Sequence, residues 1–266
     1  MSSIEHLKLL ELVDTKTEYA SILHSFGLSF YRYPEHTLEE LCRERSINMP
    51  SVIRRLEDAA HYTNFLHLDR WGRLQQGLPL SEAGLHEYPV DIVIAYLKHA
   101  HTLFIRHQLP YMADLIANIE IKHFDNEELA KDLKFVFPLF MEDFIHHIYE
   151  EEDGVFKYIL QLKHLLGKTK GLLSPLFFHL SSHSITDFAS HHLEEDDEME
   201  GIRQLTNHYA LSPTSSTYTK VIYKALQEFE QSLQIHANIE DNILMPKALR
   251  LEAEATDRLK GYASLN

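Results

Sequence analysis

Two stretches carry the same pattern and decide the fold: HIYEEEDGVF at residues 147–156 and HANIEDNILM at residues 236–245. Each is a histidine, three residues, a glutamate, and then an apolar turn. A separation of four residues puts both polar side chains on one face of a helix, about 6 Å apart. That span suits an imidazole on one metal ion and a carboxylate reaching across to a second. Around the first pair the apolar positions run Val136 or Phe137, Phe140 and Phe144, and the stripe passes through His147 and Glu151 to Val155. Around the second they run Leu226, Phe229 and Leu233, and pass through His236 and Glu240 to Leu244. Both pairs therefore interrupt a core-facing stripe. An ionised carboxylate buried without a partner is costly even after relaxation, so Glu151 and Glu240 each call for a cation.

Outward from these pairs, apolar residues recur at intervals of three and four, and glycine and proline number only nine each, so helix is expected and sheet is not. Four long helices are expected at about 90–123, 128–166, 172–210 and 216–260. The breaks fall at Phe124-Asp125-Asn126, at Gly167 to Pro175 and at Leu211-Ser212-Pro213. Short connections make neighbours antiparallel, which gives an all-α, up-down four-helix bundle over 90–266. The leading residues 1–68 read as a small three-helix unit, with helices at about 5–26, 37–46 and 50–66. The second opens with the capping box Thr37-Leu38-Glu39-Glu40, and the third comes after Asn48 and Pro50. Between unit and bundle, DRWGRLQQGLPLSEAGLHEYP at 69–89 loses helical period and gathers glycine and proline, as a linker does.

The other two bundle helices offer matching candidates. His192 continues the stripe Ile185, Phe188, Met199, Ile202, and His101 is in phase with Ile94, Leu97, Phe104 and Ile105. His99 would share a stripe with Arg106 and is the weaker first-helix candidate. His101, His147, His192 and His236 lie 46, 45 and 44 residues apart, the spacing that one ligand per helix would produce. A lone histidine in a stripe is more often a hydrogen-bonded core group than a ligand. Two matched His-x-x-x-Glu pairs reverse that weighting, and the regular spacing carries His101 and His192 with them. The remaining histidines, including His107, His123, His146, His164, His179, His183, His191 and His208, are expected at the surface or around the site. The run Glu194 to Glu198 is expected to be a solvated acidic face, with Glu195 its one member in reach of a metal.

Composition narrows the chemistry. The single cysteine, Cys42, leaves no disulfide framework and no thiolate metal site within one chain, so any metal must be held by nitrogen and oxygen. Mixed imidazole and carboxylate ligation suits iron, with manganese and zinc as alternatives, and two bridging glutamates imply two ions. Ferritin-like bundles use Glu-x-x-His, and the only such spacing here is Glu120 to His123, near a helix end. Net charge is −15, with 16 Lys and Arg against 29 Asp and Glu in residues 81–266, which disfavours nucleic acid and anionic membrane as partners. The N-terminal residues lack the basic and apolar blocks of a signal peptide, so a cytoplasmic location is expected.

With these motifs in place, the bundle resembles the haemerythrin-like domain of the repair-of-iron-centres family, the ScdA-type di-iron proteins. The matching segments are RHQLP at 106–110, the stretch 147–156, His192 through IRQLT at 202–206, and HANIEDNILMP at 236–246. The resemblance implies two non-haem irons on His147, Glu151, His192, His236 and Glu240, with the first-helix ligand at or beside His101. Counted back without a gap from Leu109-Pro110, the family's ligand falls on Thr102, which cannot replace an imidazole. The leading unit is similar to that family's small N-terminal domain through FGLSF at 26–30 and TLEEL at 37–41. Where the family has a Cys-Cys-Gly-Gly run, this chain has YRYP at 31–34, so the thiol chemistry of that motif is lost. Cys42 is expected to pack as a small apolar residue.

The resemblance implies a di-iron protein that acts on or senses nitric oxide or dioxygen, or supplies iron for iron-sulfur cluster repair, under oxidative or nitrosative stress. A second expectation is a non-catalytic oxygen, redox or iron sensor that relays its state to a protein partner through the N-terminal helices. A third is a metal-free bundle with buried histidine–carboxylate hydrogen bonds. A homodimer stays open.

Overall fold

A computed structural model of the chain describes residues 4–61, 82–167, 177–178, 180, 184–185 and 197–263. Among these residues the regular elements are helices, with one isolated bridge between Lys8 and Thr37, so the protein is an all-α helical bundle as the periodicity predicts.

The leading helices are α1 (Leu9–Thr15), α2 (Tyr19–Ser25), α3 (Leu38–Glu44) and α4 (Met49–His61). Where one helix is expected over 5–26 there are two, for a local reason. Thr15 turns its hydroxyl onto the Leu12 carbonyl at 2.6 Å, and Lys16 goes extended at φ −151°, ψ 113°. Threonine favours such side-chain-to-backbone bonds over continued helix. The predicted capping box is present: Thr37 Oγ1 accepts from Glu40 N at 3.3 Å, and Glu40 Oε2 accepts from Thr37 N at 2.9 Å. Asn48 Oδ1 accepts from Ser51 N at 3.0 Å and opens α4. Cys42 is buried and burial pushes its thiol pKa up, the state of a packing residue.

Further along come α5 (Glu82–Leu85), α6 (Val90–Leu103) and α7 (Leu109–Asn118), then α8 (Glu127–Glu151) and α9 (Lys157–Leu166). The last three are α10 (Glu200–Leu205), α11 (Thr217–Ile239) and α12 (Met245–Ala263). Single π-helical turns join α6 to α7 (Phe104–Gln108), α8 to α9 (Glu152–Phe156) and α11 to α12 (Glu240–Leu244), so three of the four expected long helices run on through them. The third expected helix, 172–210, is not continuous. Asp197 is outside helix and Glu198 and Met199 form a turn before α10, while most of 172–196 lies outside the described residues. The expected linker lies outside the described residues up to Ser81. No helix among the described residues is long and apolar enough to cross a membrane.

The chain divides into two compact units: one of Met1–His67, Arg106–Phe140 and Met199–Ser232, the other of Leu68–Ile105, Met141–Glu198 and Leu233–Asn266. In the first, Asp114 on α7 gathers the segment that precedes α3. It accepts from the Tyr31 hydroxyl, from Arg32 Nη2 at 2.5 Å and from Asn118 Nδ2 at 2.8 Å. The same unit holds a buried polar knot after α10. Asn207, His208 and Tyr209 all take left-handed backbone, with φ of 49°, 56° and 58°. Such backbone costs about 1 kcal/mol or more per residue. It delivers the buried Tyr209 hydroxyl to Glu230 Oε2 at 2.7 Å, while Arg203 Nη1 meets Glu230 Oε1 at 2.9 Å. In the second unit, α6, α9 and α12 bury Val93, Ile94, Leu97, Ile159, Leu162 and Ala248 with the π turns at the ends of α8 and α11.

Because Glu230 is buried between a guanidinium and a phenol, Glu230→Ala is expected to cost about 2 kcal/mol. Glu230→Gln, which still accepts from Tyr209, should cost less. A shift in the urea midpoint at unchanged slope reads this out; equal midpoints for wild type and Glu230→Ala would refute it.

Candidate metal centre

The second unit brings four of the predicted ligands together. His101 from α6, Glu151 from the end of α8, and His236 and Glu240 from α11 and its closing turn each present a donor atom, and these atoms all lie within 4.8 Å of one another. All four residues are buried. His101 Nε2 is 2.7 Å from His236 Nε2 and 3.2 Å from Glu151 Oε2, and His236 Nδ1 is 3.4 Å from Glu240 Oε2. Nitrogens 2.7 Å apart would subtend about 80° at an ion about 2.1 Å from each, close to the right angle between adjacent octahedral ligands. The walls are apolar: the His101 ring stacks on Phe156 at 5.6 Å, and Phe104 packs against His236 at 5.7 Å and Phe144 at 5.9 Å.

His147 stands one turn before Glu151 with its side chain 25% exposed, so it marks the side of the centre that reaches solvent. Its Nε2 is 3.2 Å from Glu151 Oε1. Glu151 thus turns one oxygen to His101 and the other to His147. A donor set of buried imidazoles and carboxylates without sulfur fits iron, manganese or zinc. His192, the third-helix candidate, and Glu195 lie outside the described residues, as do His179, His183 and His191.

Sequence reasoning misses two carboxylates beside the centre. Glu152 Oε1 is 3.0 Å from His101 Nδ1, and Lys98 Nζ is 2.7 Å from Glu152 Oε2. A carboxylate on one ring nitrogen fixes the tautomer that leaves the other nitrogen's lone pair facing the metal. Glu198 is exposed, as expected of its acidic run, and also has Oε1 3.4 Å from His147 Nε2. Glu152 has no signal in the sequence, because it comes directly after Glu151 and the π turn sets its direction.

Burial separates the two first-helix candidates, which lie just before the π turn Phe104–Gln108. Thr102 is exposed and donates to the Lys98 carbonyl at 3.0 Å, whereas His101 points into the quartet. His99 is half-buried and outside the quartet. Among the other histidines, His107, His146, His164 and His208 are exposed, and His123 stacks on Tyr218 at 4.5 Å.

Electrostatics reflect the acidic balance. Burial alone would depress the pKa of His236, but Glu240, through charge and hydrogen bond, and then Glu151 and Glu198 outweigh it and the net shift is upward. For Glu152 burial would raise the pKa, but Lys98 and His101 prevail and hold the carboxyl down. Burial pushes Glu198 up to about 7, with His147 opposing and Glu151 adding to the rise.

No family model matches the chain. It is similar to curated proteins named iron-sulfur cluster repair protein YtfE. The identity is 28% over 160 residues with that of Escherichia coli O81 (strain ED1a). It is 27% over 160 residues with those of Escherichia coli O1:K1 / APEC and Shigella boydii serotype 18 (strain CDC 3083-94 / BS512). Each match covers 60% of this chain and 64% of the relative, so the chain spans under two thirds of the length of these relatives. These relatives bear out the family resemblance read from the motifs.

Glu152→Ala is expected to weaken metal binding about ten- to a hundredfold at unchanged helical content, and Glu152→Gln less, by competition with a chromophoric chelator. Equal affinities would remove Glu152 from the centre. The upward shift of His236 from 6.5 means that a proton competes with metal at higher pH than for an ordinary imidazole. Apparent affinity should therefore rise with pH above 6.5 and should still be climbing where a free imidazole has finished titrating. In the metal-free protein the same shift adds stability that is full below 6.5 and fades as pH rises through the raised pKa.

Proposed function

We propose that the chain is a non-haem di-iron protein of the cytoplasm that works in iron-sulfur cluster repair under oxidative or nitrosative stress. In this reading it either acts on or senses nitric oxide or dioxygen, or supplies iron to damaged clusters. The ligands are His101, His147, Glu151, His192, His236 and Glu240. The observation that carries the reading is Glu151, buried and turned with one oxygen to His101 and the other to His147. The similarity to proteins named for iron-sulfur cluster repair supports the same reading.

When bound, the metal pair supplies a redox couple and open coordination positions for a diatomic molecule. The chain's own residues do the rest. Phe104, Phe144 and Phe156 wall the imidazoles from water on one side, which strengthens every charge interaction inside. Glu152, braced by Lys98, holds the His101 ring. His147, partly exposed, leaves an approach for a small ligand. A second reading, a sensor that relays the centre's state to a protein partner, shares this geometry and differs only in turnover.

Protein purified without chelators is expected to carry about two iron ions per chain, and Glu151→Ala and Glu240→Ala to carry less than half of that. Iron content that is equal in all three proteins would overturn the metal assignment. Catalytic loss of nitric oxide in the presence of a reductant is the expected activity; stoichiometric binding alone, with altered affinity for a protein partner, favours the sensor.

A further inference from the structure

We propose that Glu198 is a metal ligand, supplying the carboxylate of the second, solvent-facing metal position together with His147 and Oε1 of Glu151. The inference rests on the metal reading above and adds to it a residue outside the six ligands of that reading.

The donors sort into two groups about Glu151. On the inner side, Oε2 of Glu151 faces His101, whose Nε2 faces His236 in turn, and Glu240 completes a buried quartet. On the outer side, Oε1 of Glu151 is 3.2 Å from His147 Nε2, and that nitrogen is 3.4 Å from Glu198 Oε1. His147 Nε2 therefore has one carboxylate oxygen on each of two sides, from α8 and from the turn before α10. Both distances are edge lengths of a coordination polyhedron with ligands at about 2.1 Å. An imidazole has one proton or lone pair at that nitrogen, so it cannot bond well to both oxygens at once, whereas an ion held by that nitrogen would attract both carboxylates.

Chain geometry favours this role. Glu198 lies in a turn just before α10, and Met199 is buried, which fixes the backbone immediately after Glu198. The Glu198 side chain is 34% exposed, so it meets His147 from the solvent side. The outer position would then carry one carboxylate that the inner position lacks.

The test is an anaerobic titration of the metal-free full chain with Co(II), tracking both the visible spectrum and the stoichiometry. Wild type is expected to fill two positions in succession. Glu198→Ala and the isosteric Glu198→Gln should fill the first with wild-type affinity and bind the second about ten- to a hundredfold more weakly. Wild-type affinity for both ions in both variants would overturn the role of Glu198. Failure of the wild-type chain to take a second ion would instead overturn the two-metal reading on which it rests. Far-ultraviolet circular dichroism of each variant separates lost binding from lost fold.

Discussion

Two carboxylates held close together in an apolar interior set the terms for the second unit. Glu151 and Glu240 present donor oxygens within 4.8 Å of one another, and both residues are buried. At an effective dielectric near 20, two negative charges at that range repel by about 3 kcal/mol, before any cost of leaving water. The helices that carry them bring imidazoles to the same point, and the acidic surplus is strong enough to raise His236 against the effect of its own burial. Lys98 compensates charge at one remove, by neutralising Glu152 rather than the centre. Aromatic packing from Phe104, Phe144 and Phe156 keeps the dielectric low and the attraction to any cation high.

Much of this is legible in the sequence because burial and periodicity are linked. His147, Glu151, His236 and Glu240 fall on stripes of Phe and Leu at helical spacing, and those stripes face inward in the structure. The capping box at Thr37 is legible for the same kind of reason, since it is local. Geometry set by departures from ideal helix is not legible. The split between α1 and α2 turns on one threonine hydroxyl. Glu152 reaches His101 from 51 residues along the chain, out of a π turn. An acidic run usually lies in solvent, so composition places Glu198 there, and the turn that carries it toward His147 leaves no mark in composition.

The three π turns share a position relative to the ligands. Each begins at or shortly after a histidine or glutamate of the centre, at Phe104, Glu152 and Glu240. A π turn widens the helix and rotates the C-terminal segment against the N-terminal one. In the second unit this lets Glu151 and Glu152, adjacent in sequence, address opposite ring nitrogens of the one histidine: Oε2 of the first at Nε2, Oε1 of the second at Nδ1. An uninterrupted helix would separate neighbouring side chains by about 100°.

The anchoring of Tyr31 and Arg32 on Asp114 has a consequence for redox chemistry. The resembled family carries paired thiols at this segment; here burial and the Asp114 carboxylate instead push the Tyr31 hydroxyl above its ordinary range. A phenol so held neither cross-links nor shuttles electrons as a dithiol does. The chain's one sulfhydryl, Cys42, is enclosed and reluctant to ionise. Peroxide or nitrosating agents therefore meet no ready thiolate within a single copy of this molecule, and the sulfur left open to peroxide is the thioether of its methionines.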